Sequence, residues 1–388
     1  MSTPAELLER HKPFLKYDSH EPYFADSAAE WTDNPGNVLM RSDGTVLATA
    51  ENGLDLGFLG TTYSPNAAAA RTDVIGNTAH DYAKQARELH KRPDYANRVY
   101  GHVVDDANGD RWLQYWFFYF YNDYNLIGPF IHAGLHEGDW EMIQIRLRAD
   151  TPDLAVYCQH AESTSRDWRQ VDTLPGGVRP IVYVARGSHA SYFEPGTQWT
   201  GHWFDHADGK RRSPELKLER VEEGDPEWRW IHWPGYWGDT KKTGDNPLDS
   251  DSPRGPAAHK QWQDPSALLE EPEGIAAPSL LAERSAPPPA PQVQVRWADG
   301  HIAVHYAAPT APGGEPPIGL VVTINSPDER EPPTTETFPI DAAEGEVVVS
   351  APADPSRTYD VYTSVAAADG LASESVRSDL IPGPPPAG

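Results

Sequence analysis

Hydrophobic and polar positions alternate with a period of two through most patterned stretches of the chain, which predicts strands rather than helices. Arg98 to Val104 alternates, and Asp105-Asp106-Ala107-Asn108-Gly109-Asp110 reads as a hairpin turn. Trp112 to Tyr121 is aromatic on both faces, as a strand covered on both sides requires. Strand patterns recur at Leu154–His160 and Pro180–Arg186. Helical spacing shows in one place, residues 78–91, where Ala79, Tyr82, Ala83, Ala86 and Leu89 share a face and Pro93 is a stop. The segment up to about residue 60 reads as irregular, broken by Asn34-Pro35-Gly36 and Ser42-Asp43-Gly44. The pattern predicts a mainly β protein, an antiparallel β-sandwich with long loops and one or two short helices.

The most informative run is His136-Glu137-Gly138-Asp139-Trp140-Glu141. Counting by twos, Asp139 and Glu141 fall on the face of Ile143, Ile145 and Leu147, while Trp140, Met142, Gln144, Arg146 and Arg148 take the other. Carboxylates on a core-facing surface are costly unless a cation or strong hydrogen bonds meet them. Histidines stand at further strand ends. Val156, Cys158 and His160 share a face, and in Ala185-Arg186-Gly187-Ser188-His189-Ala190 the glycine permits a sharp turn that exposes Ser188 and His189. His132 precedes the acidic run.

If those strands are neighbours, their ends bring His136, Asp139, Glu141, His160 and His189 around one opening, with Trp140, Arg186 and Ser188 beside it to touch a ligand. Such a mixed nitrogen and oxygen set suits a divalent ion such as Mn²⁺, Fe²⁺, Zn²⁺ or Mg²⁺ better than an all-oxygen Ca²⁺ cage. The competing reading is a salt-bridge network, in which Arg186, Arg166 or a protonated histidine neutralises the carboxylates. Glu137 or His189 would be the general base if the ion served hydrolysis of a phosphoester or glycan. Ser188 and His189, adjacent in sequence, do not point at each other as a nucleophile pair would.

Composition narrows the partners. The chain has 388 residues, enough for two domains, and a formal charge of −26. That charge argues against nucleic acid and against a polybasic membrane anchor. The single cysteine, Cys158, rules out an internal disulfide and a thiolate zinc cage, and its strand neighbours make it a packing residue. No basic stretch with a following apolar run opens the chain, and no window approaches a transmembrane span. The default expectation is a cytoplasmic protein, with export by a route that reads no N-terminal signal left open.

A Pro/Ala-rich spacer at 272–291 divides a domain at 1–271 from one at 292–383, with a tail at 384–388. Twelve of the thirteen tryptophans precede it. Residues 195–262, rich in Trp, Gly and Pro, read as a long loop region clamped over the sandwich by aromatic packing. Beyond the spacer, Ile302–Tyr306, Leu320–Asn325, Glu346–Ser350 and Tyr359–Ala366 predict a second small β-sandwich.

Two resemblances follow from these residues. Leu113-Gln114-Tyr115-Trp116-Phe117-Phe118-Tyr119, the His136–Glu141 run, Tyr157-Cys158-Gln159-His160 and Gly187-Ser188-His189-Ala190 occur in an order that resembles the vacuolar protein sorting-associated protein 62 family of fungi, plants and bacteria. Gly235-Tyr236-Trp237-Gly238 and Ser252-Pro253-Arg254-Gly255-Pro256 are similar to its closing motifs, and the match spans about residues 10–265. The family has no agreed biochemical activity. A more distant similarity runs to the necrosis- and ethylene-inducing peptide-like proteins, β-sandwiches that bind a divalent ion through Gly-His-Arg-His-Asp-Trp-Glu and recognise sphingolipid head groups. Here His136, Asp139, Trp140 and Glu141 correspond, while Gly138 stands where that signature has histidine. The resemblance implies a divalent ion (Mg²⁺, Mn²⁺, Ca²⁺ or Zn²⁺) and a glycan or lipid head group as ligand.

The C-terminal Pro355–Tyr362 stretch and the Ala-Ala-Ala-Asp-Gly-Leu-Ala-Ser-Glu-Ser after it resemble the tyrosine-corner strand and final hairpin of fibronectin type III domains. Tyr306 is nearest the place of their strand-B tryptophan. The resemblance implies a spacer or a surface for a protein partner.

Overall fold

The computed structural model describes residues 2–21, 23–62, 71–77, 82–127, 131–159, 162–199, 204–239, 251–270, 288–298, 300–310, 317–325, 334–340, 342–350, 353–367, 373 and 376–382. The chain is mainly β. It opens with helix α1 (Pro4–Arg10), set by a Thr3/Glu6 capping box and Pro4 in the first turn, which buries Leu7 and Leu8. Strand β1 (Phe14–Tyr17) and helix α2 (Ala28–Thr32) follow. Strands β2 (Asn37–Met40), β3 (Val46–Thr49) and β4 (Val74–Asn77) make a small sheet in the order β3-β2-β4, with helix α3 (Leu56–Thr62) between β3 and β4 in sequence. The stretch expected to be irregular is thus structured. Its elements are four to seven residues long, too short for a period to register. Helix α4 (Tyr82–His90) falls within the helix expected at 78–91, of which 78–81 lie outside the described residues. Five short α-helices are present among the described residues, more than the one or two expected.

The main sheet is a meander of β5 (Arg98–Asp105), β6 (Arg111–Ile127), β7 (Ile131–Arg148), β8 (Thr151–Gln159) and β9 (Glu162–Asp167). The β5–β6 turn has the expected chemistry. The Asp106 carboxylate accepts from the amides of Asn108 at 2.8 Å and Asp110 at 3.0 Å, and Gly109 takes φ 82°. Facing this sheet, β10 (Ile181–Val184) and β11 (Ser191–Tyr192) join β1 and, beyond the β12 (Gly196–Trp199)–β13 (Phe204–Ala207) hairpin, β14 (Arg211–Arg212), in the order β11-β10-β1-β14. Strand β15 (Lys217–Arg220) adds to the main sheet at β5. Among the described strands, β1 pairs with β10 and β15 with β5 in parallel, and the other strand pairs are antiparallel.

The two sheets meet through large side chains. The hydroxyl of Tyr157 donates to the Ile181 carbonyl at 3.0 Å, and Tyr17 meets Tyr119 edge-on at 6.5 Å. The opposite face of the main sheet is also covered. Short 3₁₀ turns at Pro226–His232, Pro256–Ala258 and Lys260–Trp262, with helix α5 (Ala267–Glu270), lie over it. Trp140 packs among Phe118, Trp230 and Trp237, while Gln114 and Gln144 donate to the carbonyls of Gln261 and Pro265. Trp140, Met142 and Gln144 are therefore as buried as the face of Asp139 and Glu141. The aromatic clamp expected across 195–262 is what covers them.

A second core lies after the Pro/Ala-rich stretch. Strands β16 (Gln292–Ala298), β17 (His301–Ala307), β18 (Pro317–Asn325), β19 (Thr334–Pro339), β20 (Glu344–Val348), β21 (Tyr359–Ala367) and β22 (Val376–Leu380) form antiparallel sheets in the orders β16-β17-β20 and β19-β18-β21-β22. Ile302, Val304, Leu320, Val322, Val361 and Val365 fill the space between them. The first hydrophobic cluster ends at Leu268 and the second begins at Val293. Among the described residues, no helix is long and apolar enough to cross a membrane.

Candidate acidic centre

The site is built from the middle of β7 and two loops brought to it by the facing sheet. Register places Tyr119 opposite Asp139 and Phe117 opposite Glu141, so both carboxylates point into the gap between the sheets. Asp139 is 6% exposed and Glu141 3%. The loop after β10 turns sharply, with Gly187 at φ 76° and His189 itself at φ 56°, a conformation costly for a residue with a Cβ. That strain delivers His189, fully buried, against the site. Its ring stacks flat on Tyr119 at 3.9 Å.

His189 lies between two carboxylates. Nδ1 is 2.9 Å from Oδ2 of Asp139, and Nε2 is 3.5 Å from Oε1 of Glu21. Burial alone would lower its pKa, but Glu21 and Asp139 together outweigh burial and carry it to about 9. Glu21 is itself held by the amides of Tyr23, at 2.8 Å, and Gly187. Glu21 arrives through β1, and no local pattern in the sequence marks it. Asp205, from β13, was equally invisible. It is buried and accepts from the hydroxyls of Ser188 at 3.0 Å and Tyr192 at 2.7 Å.

On the other side of Asp139, Oδ1 stands 3.9 Å from Nε2 of His136. His136 Nδ1 is 3.2 Å from the Glu137 carbonyl, which only accepts, so the ring proton sits on Nδ1 and Nε2 presents a lone pair. Burial lowers the pKa of His136 against the pull of Asp139, which favours that neutral form. Two acceptors thus face each other. Two residues along the same face of β7, Oε2 of Glu141 is buried with no hydrogen-bond partner. Burial, then the charges of Asp139 and Asp205, pushes the Glu141 carboxyl well above the usual range.

The expected set is partly assembled. His136 and His189 flank Asp139, although His189 reaches Glu21 as well rather than a shared centre, and Glu141 lies two residues along the same face of β7. His160 and the side chain of His132 lie outside the described residues. Ser188 and His189 are buried where exposure was expected, because Glu21 and Tyr23 close over the turn. Trp140 is buried on the opposite face of β7 and does not touch the centre. Arg186 is exposed, and Arg166 pairs with Glu194 at 2.7 Å, so neither neutralises the carboxylates. Cys158 is a buried packing residue. Of the two weak candidate bases, Glu137 accepts from the Asn77 amide at 3.0 Å, and His189 is held by two carboxylates. Among the described residues, no three His, Cys, Asp or Glu side chains stand in ready-made metal-binding geometry.

The remaining motifs close over this run. Gly138, at φ 51°, lies where a Cβ would meet the Trp237 carbonyl, and Gly238 lies against Glu137 and Ser252. Trp237 donates its amide to Pro253 at 2.9 Å, and the Arg254 guanidinium covers the Tyr236 ring at 4.1 Å.

The family model for Vacuolar protein sorting-associated protein 62 matches residues 5–206, more than half of the chain. The Putative vacuolar protein sorting-associated protein TDA6 of Saccharomyces cerevisiae is 26% identical over 326 residues, covering 68% of this chain and 66% of its own length. The chain therefore spans just under two thirds of that relative. Solved structures that match include a fibronectin domain of Drosophila Lar, 14% identical over 25% of this chain and 100% of its own, with a TM-score of 0.18. A human fibronectin type III domain is 14% identical over 28% of this chain and 98% of its own, with a TM-score of 0.19. With the ordered motifs gathered around one acidic centre and the family model covering most of that fold, the chain belongs to the Vacuolar protein sorting-associated protein 62 family.

Proposed function

We propose that this chain is a divalent-cation-binding β-sandwich protein in which His136, Asp139 and Glu141 hold the ion. An oxygen-rich glycan or lipid head group approaches from the His136 side, where the imidazole is 11% exposed. The observation that carries the reading is the pair of acceptors, His136 Nε2 and Asp139 Oδ1, facing each other at 3.9 Å, with the unpartnered Glu141 oxygen two residues along the same face of β7. An acceptor pair without a proton between it repels, and a cation removes the repulsion. His136 has the feature expected of a metal-binding imidazole, its other nitrogen donating to a backbone carbonyl. His189 then acts as a positioning residue, fixing Oδ2 of Asp139 so that Oδ1 faces His136. A bound ion would supply positive charge to the head-group oxygens. The donor set suits Mn²⁺, Zn²⁺, Fe²⁺ or Mg²⁺.

A sorting role, the one named for the family and for the yeast relative, is compatible with a protein that docks on membrane head groups, and we extend it to this chain on that footing. The C-terminal sandwich we read as a fibronectin type III-like module that spaces the binding domain or offers a surface to a protein partner. Its support is the two-sheet, seven-strand topology and a tyrosine corner, with the Asp354 amide donating to the Tyr359 hydroxyl at 2.8 Å.

Vesicle sedimentation tests the head-group reading. Phosphatidylcholine vesicles doped with phosphatidylserine or a glycosphingolipid should carry the protein down in Mn²⁺ and release it in EDTA, and Asp139→Asn should not sediment. Equal sedimentation in both buffers, or none with any vesicle, contradicts it. The position of His189 between Glu21 and Asp139 favours a second reading, a purely structural ion-pair cluster. Under it, Asp139→Asn costs about 3–5 kcal/mol whether or not metal is present.

A further inference from the structure

A cleft of about 570 Å³ opens between α1 and the β5–β15 edge of the main sheet, a region separate from the acidic centre. Its walls divide by chemistry. Leu8, Val103 and Val221 give an apolar side. At the other side stand His102 and Glu223. His102 is 4% exposed and is fixed on two sides. Its ring stacks on Trp262 at 3.9 Å with an interplanar angle of 1°, and its Nδ1 meets Gln114 Oε1 at 3.0 Å. Gln114 is oriented in turn, because its amide nitrogen donates to the Gln261 carbonyl. The Gln114 oxygen therefore accepts, Nδ1 of His102 carries the proton, and Nε2 presents a lone pair. Burial lowers the pKa of His102 and keeps it in that neutral form.

That lone pair faces Oε1 of Glu223 across 3.8 Å, with no hydrogen bond to Nε2. Glu223 is placed by Trp262, whose indole N–H donates to the same oxygen at 2.6 Å, and by His232, whose Nε2 is 3.1 Å from Oε2. Two fixed acceptors 3.8 Å apart leave a position from which one donor nitrogen reaches both at hydrogen-bond length, about 2.9 Å. The cleft is much larger than a single metal ion needs. Arg111 is closed by its own pair with Asp105 at 2.9 Å, and Arg220 stays exposed at the rim, so neither fills the position.

We propose that this cleft binds a small molecule bearing a primary ammonium group, with the nitrogen donating to His102 Nε2 and Glu223 Oε1 and an alkyl portion lying along Leu8, Val103 and Val221. The site is independent of the cation proposed above, and the experiment is run in EDTA so that the two readings fail separately.

The test is calorimetric titration of the full chain with n-pentylammonium chloride and, in parallel, with 1-pentanol. Pentylammonium should bind with one-to-one saturation, and pentanol at least tenfold more weakly. Glu223→Gln, which keeps an acceptor for Trp262 but loses the charge, should weaken pentylammonium at least tenfold. Ala5→Trp projects bulk into the cleft from its α1 wall and should abolish binding with an unchanged Tm. Equal binding of pentanol, or undiminished binding in Ala5→Trp, overturns the proposal. So does a titration in EDTA-free buffer in which Zn²⁺ binds stoichiometrically, is lost in Glu223→Gln, and displaces no ammonium.

Discussion

Gly138 and Trp237 compete for one volume, because the carbonyl oxygen of Trp237 occupies the place a Cβ on residue 138 would take. A side chain at position 138 has no room here. Its place belongs to the chain segment that closes over the acidic run. Gly138→Ala should therefore cost about 3 kcal/mol in urea unfolding, from the positive φ of 51° together with the displaced carbonyl. Gly109→Ala is the control, with φ 82° and nothing within 4 Å of the added Cβ, and should cost about 1 kcal/mol. Equal costs would mean that the contact with Trp237 contributes nothing.

The acidic run was legible in the sequence because one short-range rule governs it. Alternation put Asp139 and Glu141 inward with Ile143, Ile145 and Leu147, and all five are buried. The same rule assigned Trp140 and Gln144 to the outer face correctly but not their burial, since their cover comes from Trp237 and Pro265, far along the chain and without periodicity. Glu21 and Asp205 escaped for a related reason. The parallel pairing of β1 with β10 joins residues near 15 to residues near 182, and nothing local in either segment encodes that contact. His189 was found as a strand-end histidine, yet its partners could be assigned only once Glu21 was in place.

His259 supplies a pH dependence with a defined sign. Burial and the nearby Arg254 charge, against a hydrogen bond to the Arg254 carbonyl, lower its pKa to about 4. The unfolded chain binds that proton near pH 6.5, so the contribution to stability is whole above 6.5 and is lost as pH falls towards 4. Discounted for partial exposure, the difference is about 2 kcal/mol. Unfolding free energies of the wild type and His259→Gln, compared between pH 4 and 7, should diverge across that window. Parallel curves would place His259 in solvent.

Tyr359→Phe removes the acceptor of the Asp354 amide and should lower the stability of the C-terminal sandwich by about 1 kcal/mol. Hydrogen exchange resolves it locally. Faster exchange in β21 and β22 with β5–β8 unchanged is the expected pattern, and no change in β21 would show that the tyrosine corner does not hold that sheet.

His189→Gln keeps a donor for Asp139 but loses the charge between Asp139 and Glu21. If His189 positions Asp139, Mn²⁺ affinity should fall by about 10–100-fold while one equivalent still binds at saturation. Complete loss of the site would instead make His189 a direct ligand.

Metal analysis of protein purified without chelator, joined to thermal melts with and without Mn²⁺ or Zn²⁺, decides whether His136, Asp139 and Glu141 hold a cation. A bound cation gives one equivalent of ion and stabilisation of about 2.7 kcal/mol at a hundredfold excess over Kd, both lost in Asp139→Asn. Protein that carries no ion and melts identically in EDTA and in metal would contradict cation binding, and would leave the acidic centre as an ion-pair cluster around His189.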